Sequence, residues 1–315
     1  MKVLVVGGTR LLGRSVVRHL LDSRHLVTVL SRRMEAFPTG ARRLLMDRRA
    51  GLQQLTNESF DIVLDFLAYD GVAAAEALAA ISDATYVLIS STWMTRLDPG
   101  VSVDQSISEI DIDASAQLPA VTREYLLGKK EAESVVLQAR RGNRRATVLR
   151  LPIFLGDGDH TGRIEFYRER SRDGGPVIAV DGGHNCAQVA WTEDLARAVL
   201  NWLPFASSHP MWDGLPDRGL PVRQLLALIV RGAEQLPRLV EVPSATLARH
   251  LPDYLEYEPL WREEALPSSE QNIFTMTATV ATPYSEWICN LKGAPDRSFP
   301  ILRNRELRFI EQLAL

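Results

Sequence analysis

Lysine is scarce in this chain: Lys2, Lys129, Lys130 and Lys292 are its only four, and the remaining 32 of the 36 basic side chains are arginine. Cysteine is scarcer. Cys186 and Cys289 lie far apart and match neither a disulfide framework nor a zinc spacing, which excludes a stapled secreted scaffold and fits reduced, packed thiols in a cytoplasmic protein. His160, His184, His209 and His250 have no spacing that would build a metal site with either cysteine, so no metal is expected. An excess of positive charge is also missing. The net charge is −3, so no overall field would hold a phosphate backbone, and nucleic acid is a disfavoured partner. No apolar run approaches the roughly 20 residues that span a bilayer, so no membrane partner is expected. The opening Met1-Lys2-Val3-Leu4-Val5-Val6 is cut by glycines after four apolar residues, and it reads as a buried strand, not a signal peptide. Internal repeats and low-complexity tracts are absent as well.

What is present is ordinary globular material. Of 315 residues 46% are hydrophobic and 24% charged, close to the averages for soluble domains, and the length allows one large domain or two modest ones. Short β-branched runs alternate with helical patterns through the first half, the mark of βαβ units and a parallel sheet covered on both faces. The expected strands are Lys2–Val6, Leu26–Leu30, Arg43–Met46, Ile62–Phe66, Tyr86–Ser90 and Ala146–Leu151. Expected helices are Leu11–Ser23, Gly71–Ile81 and Thr122–Arg141, with Thr192–Leu203 and Val222–Gln235 further on. Six strands with crossover helices imply an α/β, doubly wound parallel sheet of the Rossmann type. After Pro152 the pattern breaks into glycine- and proline-rich pieces, which suggests a smaller, partly interleaved C-terminal substrate domain. We expect a dinucleotide-binding domain over 1–155, with 188–217 returning to it, and a substrate domain over 156–187 and 218–315. The acidic stretch Asp98–Asp113 reads as a solvated loop, with a lid as the alternative.

Three groups of residues carry chemistry. The first strand ends in Gly7-Gly8-Thr9-Arg10-Leu11-Leu12-Gly13 and a helix follows at once, the context in which backbone amides and a helix N-terminus hold a pyrophosphate. The second strand ends in Ser31-Arg32-Arg33, where an acidic residue would bind the ribose of NAD. Guanidinium groups there favour the 2′-phosphate of NADP, with Arg10 as a further contact, so NADP(H) is favoured and NAD(H) stays open; the plain reading of Arg32 and Arg33 is a surface pair. The third group is Tyr125-Leu126-Leu127-Gly128-Lys129. Residues four apart share a helix face, and a cation beside a phenol lowers its pKa, which makes the tyrosine a usable acid or base. Ser90-Ser91-Thr92 ends the fifth strand at the sheet edge where open α/β folds bind ligands; its plain reading is a strand-end turn. Asp157 and Asp159 read as turn residues.

With these motifs the chain resembles the extended and atypical short-chain dehydrogenase/reductase superfamily, the NAD-dependent epimerase/dehydratase group. The likeness runs through the glycine-rich turn, Asp47, Ser90-Ser91-Thr92, the tyrosine–lysine pair, Glu133, Arg150-Leu151-Pro152 and Val189–Ala196. It implies that Asp47 meets the adenine, that Leu67 and Ala68 line the cofactor along with Ser90 and Pro152, and that Tyr125 is the proton donor or acceptor. It further implies that Lys129 holds the nicotinamide ribose and that Thr92 hydrogen-bonds the substrate oxygen. Trp93 and His160 follow strand ends on the ligand side and are candidate substrate contacts. The sequence departs from the family pattern in four places, one being the 33 residues from Thr92 to Tyr125, longer than the family's habit. Arg10 stands where a glycine is usual, Thr92-Trp93-Met94-Thr95 lacks the acidic pair of the dehydratases, and Ala187-Gln188 stands where an arginine often grips a nucleotide diphosphate.

The expected function is an NAD(P)-dependent oxidoreductase that moves hydride between NADP(H) and a carbonyl or secondary alcohol of a small polyfunctional metabolite. An epimerase working by transient oxidation is the alternative. A non-catalytic cofactor-sensing or RNA-binding protein, suggested by Arg10 and the basic stretch Arg42, Arg43, Arg48 and Arg49, is the rival from another class. A homodimer through the helices at Gly71–Ile81 and Thr122–Arg141 is the expected assembly if there is one.

Overall fold

The computed structural model describes residues 1–33, 38–94, 120–187, 189–215, 219–231, 237–257, 260, 273–275, 282–292 and 300–313. The acidic stretch at 98–113 lies outside the described residues. The chain divides into two compact units, one made of Met1–Phe154, Thr192–Asp217 and Leu266–Val280, the other of Leu155–Trp191, Arg218–Ala265 and Ala281–Leu315.

The first unit is built on strands β1 (Lys2–Val6), β2 (Leu26–Ser31), β3 (Arg42–Leu45), β4 (Ile62–Asp65), β5 (Thr85–Ser91) and β6 (Ala146–Leu151). Two more, β7 (Met211–Leu215) and β8 (Ile273–Thr275), extend the sheet. Its order is β3-β2-β1-β4-β5-β6-β7-β8, and every neighbouring pair is parallel. The expected doubly wound sheet is therefore present, with eight strands in place of six. Met211-Trp212-Asp213-Gly214-Leu215 is interrupted by an aspartate and a glycine, and β8 has three residues, so neither shows the longer apolar run that marks β1, β2 and β5.

Helices α1 (Leu11–Asp22), α2 (Arg48–Gln54), α3 (Gly71–Ala80), α4 (Ala120–Arg141) and α5 (Thr192–Trp202) belong to this unit. Alternation along β1 divides the core. Leu4 and Val6 join one buried cluster with Ala74 and Ala77 of α3 and Ala132 and Val136 of α4. Val5 points the other way, toward the side where α1 packs, since a side-chain carbon at Gly8 would touch both Val5 and Val17. Glu193, at the start of α5, fastens that helix to α1 by accepting from Ser15 Oγ at 2.7 Å and pairing with Arg18 and His19. Helix α2 was not expected, because Arg48-Arg49-Ala50-Gly51-Leu52-Gln53-Gln54 holds one large apolar residue and an interior glycine.

Strand order reverses between β1 and β4. Chain growth runs β1 to β3 in one direction and resumes from β4 in the other, which opens a crevice at the carboxyl ends of β1 and β4, the place where open α/β sheets take ligands.

The second unit contains a parallel pair, Val177–Val180 with Leu239–Val242, and an antiparallel pair, Cys186–Ala187 with Leu220–Pro221. Val222–Ile229 forms a helix shorter than the expected Val222–Gln235, and 232–236 lie outside the described residues. The helix Pro300–Leu313 is fixed by charge: Glu306 lies between Arg170 Nε at 2.8 Å and Arg303 Nη1 at 3.0 Å, and Arg303 also pairs with Asp173.

Candidate active site

The glycine-rich turn sits at the reversal point. Gly7 has φ +94°, a conformation open to glycine, and a Cβ there would come within 2.7 Å of Leu67. Its N–H donates to Leu30 O of β2 at 2.9 Å, and the Thr9 N–H donates to Gly7 O at 3.0 Å. Arg10 is the N-cap of α1 without a side-chain cap, and the first turn carries no acidic residue. The first hydrogen bond of the turn runs from the Arg14 N–H to Arg10 O, so the amides of Leu11, Leu12 and Gly13 precede the helical ladder. An uncapped, acid-free N-terminus beside a bare glycine turn suits a pyrophosphate. These residues fit the dinucleotide that the sequence implies.

The end of β2 is tied to this turn. Ser31 Oγ lies 3.2 Å from Thr9 Oγ1 and accepts the Arg33 N–H at 3.2 Å, while the side chains of Arg32 and Arg33 are exposed. Asp47 is the N-cap of α2 and accepts from the Arg49 N–H at 2.9 Å. The basic stretch read as an RNA feature is largely committed elsewhere. Arg42 pairs with Glu58, Arg48 with Asp65 and Glu76, and Arg49 with Glu76.

Beneath the crevice lies a buried carboxylate that the sequence reading missed. Asp65 ends β4 with no exposed surface. Its Oδ1 accepts the N–H groups of Leu67 at 2.9 Å and Ala68 at 3.0 Å, and its Oδ2 accepts from Arg48 at 2.6 Å and the Tyr86 hydroxyl at 3.0 Å. Burial and the neighbouring Asp65 push the Tyr86 phenol well above its ordinary value, which keeps it a neutral donor. The signal was an acid ending the apolar run Ile62-Val63-Leu64.

Lys129 reaches into the same region from α4. Its Nζ donates to Ala68 O at 2.9 Å and Ile89 O at 2.8 Å, and 2% of the residue is exposed. An ammonium has three donors, so one is left beyond these two bonds. Nζ lies 4.9 Å from the centroid of the Tyr69 ring and 6.0 Å from that of Tyr125. Burial lowers its pKa from 10.5 to about 8, against the opposing influence of Asp65 and Glu133 and with a smaller contribution from Arg48. Gly128 makes the reach possible, because a Cβ there would collide with the Tyr69 carbonyl oxygen. Tyr125, by contrast, is 37% exposed, its ring 6.3 Å from that of Tyr69. A buried ammonium below an accessible phenol is an arrangement for moving a proton.

The remaining expected residues are distributed as follows. Ser90 is buried and its Oγ has no partner among the described residues; Thr92 is buried, with its N–H on Leu151 O at 2.9 Å. Trp93 is half-buried and donates its N–H to Ser91 Oγ, and Pro152 is buried just after β6. His160 is exposed in a turn of the second unit, where Asp159 accepts the Thr161 N–H and Asp157 the Lys292 N–H, as turn residues do. Glu133, one turn beyond Lys129, is fully buried and takes Arg150 of β6 through two bonds of 3.0 and 2.7 Å. Asp213 of β7, unexpected, stands in register with Arg150, and burial raises its carboxyl pKa against the influence of Arg150. Among the described residues no group of His, Cys, Asp and Glu could hold a metal ion, and no helix is long and apolar enough to cross a membrane.

A model of the NAD dependent epimerase/dehydratase family matches residues 3–210. The chain belongs to this family. As a family member it is an NAD(P)-dependent oxidoreductase or epimerase with a small-molecule substrate. It is 28% identical over 264 residues to 2′-dehydrokanamycin reductase of Streptomyces kanamyceticus, across 80% of this chain and 72% of the relative. Its fold is similar to that of UDP-N-acetylglucosamine 4-epimerase from Bacillus cereus, at TM-score 0.62 and 12% identity over 92% of this chain and 97% of the other. It is also similar to Thermus thermophilus UDP-glucose 4-epimerase, solved with NAD, at TM-score 0.55 and 19% identity over 77% and 86%.

Proposed function

We propose that this family member is a reductase or dehydrogenase that uses NADP(H) on a carbonyl or secondary alcohol of a small polyfunctional metabolite, with Tyr125 as the acid or base. The observation that carries this reading is the buried Lys129 ammonium, held by Ala68 O and Ile89 O beneath the exposed Tyr125. The bound dinucleotide supplies or accepts hydride. Tyr125 gives its phenolic proton to the substrate oxygen in the reductive direction and takes it back in the other. Lys129 stabilises the phenolate through its charge and offers its third donor to the ribose, and the Thr92 hydroxyl hydrogen-bonds the substrate oxygen as charge develops there. Gly7, Thr9 and the residues from Arg10 to Gly13 would hold the dinucleotide's pyrophosphate; Leu67, Ala68, Ser90 and Pro152 would line the cofactor; Asp47 would meet the adenine. Trp93 and His160 are candidate substrate contacts.

Reduction is favoured over epimerisation by the relative with 28% identity, which is named as a reductase, while Ala187-Gln188, with no guanidinium for a nucleotide diphosphate, speaks only against a sugar-nucleotide substrate. The exposed Arg32 and Arg33, on a loop tied to the glycine turn, favour the 2′-phosphate. The test is fluorescence titration with NADPH and NADH, followed by a screen of ketones and sugar derivatives. Tyr125→Phe should lose on the order of 10²- to 10⁴-fold in turnover with cofactor affinity intact, and unchanged turnover would remove Tyr125 from its role. Arg32→Ala should weaken NADPH about tenfold and leave NADH unaltered. Equal weakening of both, or tighter binding of NADH by the unmodified protein, would defeat the phosphate clamp.

A further inference from the structure

We infer that Asp65 is a positioning residue for Lys129: it fixes the backbone carbonyl that holds the ammonium and supplies the buried negative charge that keeps the ammonium protonated. The inference deepens the Tyr125–Lys129 reading and rests on it.

The geometry is a chain of single contacts. Asp65 Oδ1 accepts two consecutive amides, Leu67 and Ala68, which closes a tight turn just past β4. The second of those residues turns its carbonyl to Lys129 Nζ. A shift of Asp65 therefore moves one of the two oxygens that hold the lysine. Oδ2 is anchored independently by Arg48 and Tyr86, so the carboxylate is fixed from α2 and from β5. Arg48 is itself set by a bond to Ala73 O of α3 at 2.7 Å.

The electrostatics point the same way. The groups that face Lys129 are Asp65 from β4, Tyr69 just beyond it, Arg48 from α2, and Tyr125 and Glu133 from its own helix. Asp65 is the strongest of the influences that oppose the desolvation of the ammonium, ahead of Glu133. An ammonium that lost its proton would no longer favour a phenolate at Tyr125, so a fixed carboxylate one contact away protects the lysine's contribution. Tyr86 moderates that carboxylate by sharing its hydroxyl proton with it.

The scarcity of lysine gives a direct test on the protein alone. With lysine labelled at its ε-carbon, the NMR spectrum holds four signals, from Lys2, Lys129, Lys130 and Lys292, and Lys129→Met identifies the one that titrates near 8. Asp65→Asn keeps an oxygen for the Leu67 and Ala68 amides but removes the charge. We expect the Lys129 midpoint to fall by about one pH unit in Asp65→Asn, with the other three midpoints unmoved. In Tyr86→Phe, which deletes a donor to Asp65 together with a polar neighbour of Arg48, the same midpoint should rise. An unmoved Lys129 signal in Asp65→Asn, or a downward shift in both variants as general loosening would give, overturns the inference. If Asp65→Asn does not fold, Tyr86→Phe decides alone: a rise supports the coupling, and no shift or a fall refutes it. Turnover of Tyr125→Phe reports separately. If it is undiminished while the Lys129 signal moves as expected, the coupling stands and the catalytic reading fails; if it collapses while the signal stays still, only the role of Asp65 fails.

Discussion

Both units bury ionised side chains, but with different partners. In the first, Asp65 and Glu133 have no exposed surface, and Arg48 and Arg150 are nearly covered beside a buried Lys129. In the second, Arg170 and Glu306 are fully buried, with the Arg170 guanidinium 3.5 Å from the centroid of the Phe166 ring and Glu306 accepting the Ile178 N–H. The second cluster is closed on arginine, which does not give up its proton in proteins, so it acts as a permanent clasp for the helix Pro300–Leu313. The first contains one cation that can lose its proton, and that cation lies under the exposed phenol. A buried cation of fixed state attaches elements, whereas the one of variable state belongs to the site that the proposed function uses.

The sharpest way to separate the two is at the lysine. A folded-state pKa near 8 against 10.5 means that burying the charged form costs about 3 kcal/mol at neutral pH. The sign follows from proton counting. Between pH 8 and 10.5 the unfolded chain binds more protons than the native one, so stability rises through that window as the cost is relieved. Lys129→Met should therefore lose on the order of 10²- to 10⁴-fold in turnover and yet melt at a higher temperature at pH 7, an advantage that fades toward pH 10.5. A lower melting temperature at pH 7 would show the ammonium to be a net stabiliser, and the contrast between the units would dissolve.

Next in size is the clasp. Glu306→Ala takes the close carboxylate from the fully buried Arg170, while Arg303 keeps Asp173, and should destabilise by about 3–5 kcal/mol, read by urea unfolding, with little change in NADPH affinity. A loss below about 1 kcal/mol would mean that water reaches the cluster and that it is not a buried clasp.

The smallest effect concerns Glu193. Burial raises its carboxyl pKa, but the Ser15 hydroxyl, Arg18 and His19 together outweigh this and hold it below 4.5. A lowered carboxylate pKa contributes stability that is complete above the ordinary value and is lost as pH falls through the folded one. The difference in melting temperature between the unmodified protein and Glu193→Gln should be largest near pH 7 and shrink below about pH 4. A difference independent of pH would show that the contact works without its charge.

Much of this was legible beforehand, for physical reasons. Strands β1 and β6 match their expected bounds, because both are mainly apolar and β-branched, Ala146–Leu151 being broken only by Thr147 and Arg150, and Tyr125 with Lys129 was picked out from helical spacing together with the hydroxyls that end β5. What escaped was tertiary. Arg48 was read with Arg42, Arg43 and Arg49 as a basic stretch, whereas α2 turns it toward Asp65, and Asp65 passed unremarked inside the expected strand Ile62–Phe66. Glu133 was noticed only by resemblance, and Asp213 gave no local signal, since its setting depends on β7 lying beside β6. Gly128 was read as part of the motif without a reason; the reason is the backbone oxygen of Tyr69, 59 residues earlier in the chain.

The position of β8 has a consequence for synthesis. Six strands of the sheet are specified by residue 151, yet the eighth, Ile273–Thr275, pairs with β7 after most of the second unit's sequence has been made. At roughly 5–20 residues per second, a ribosome takes on the order of ten seconds to travel from β6 to β8. During that interval the nascent sheet ends in an uncovered edge, first that of β6 and later that of β7. Edges of this kind invite pairing with a neighbouring chain, so the crowding of ribosomes on the message should bear on yield more than the stability of the finished protein does.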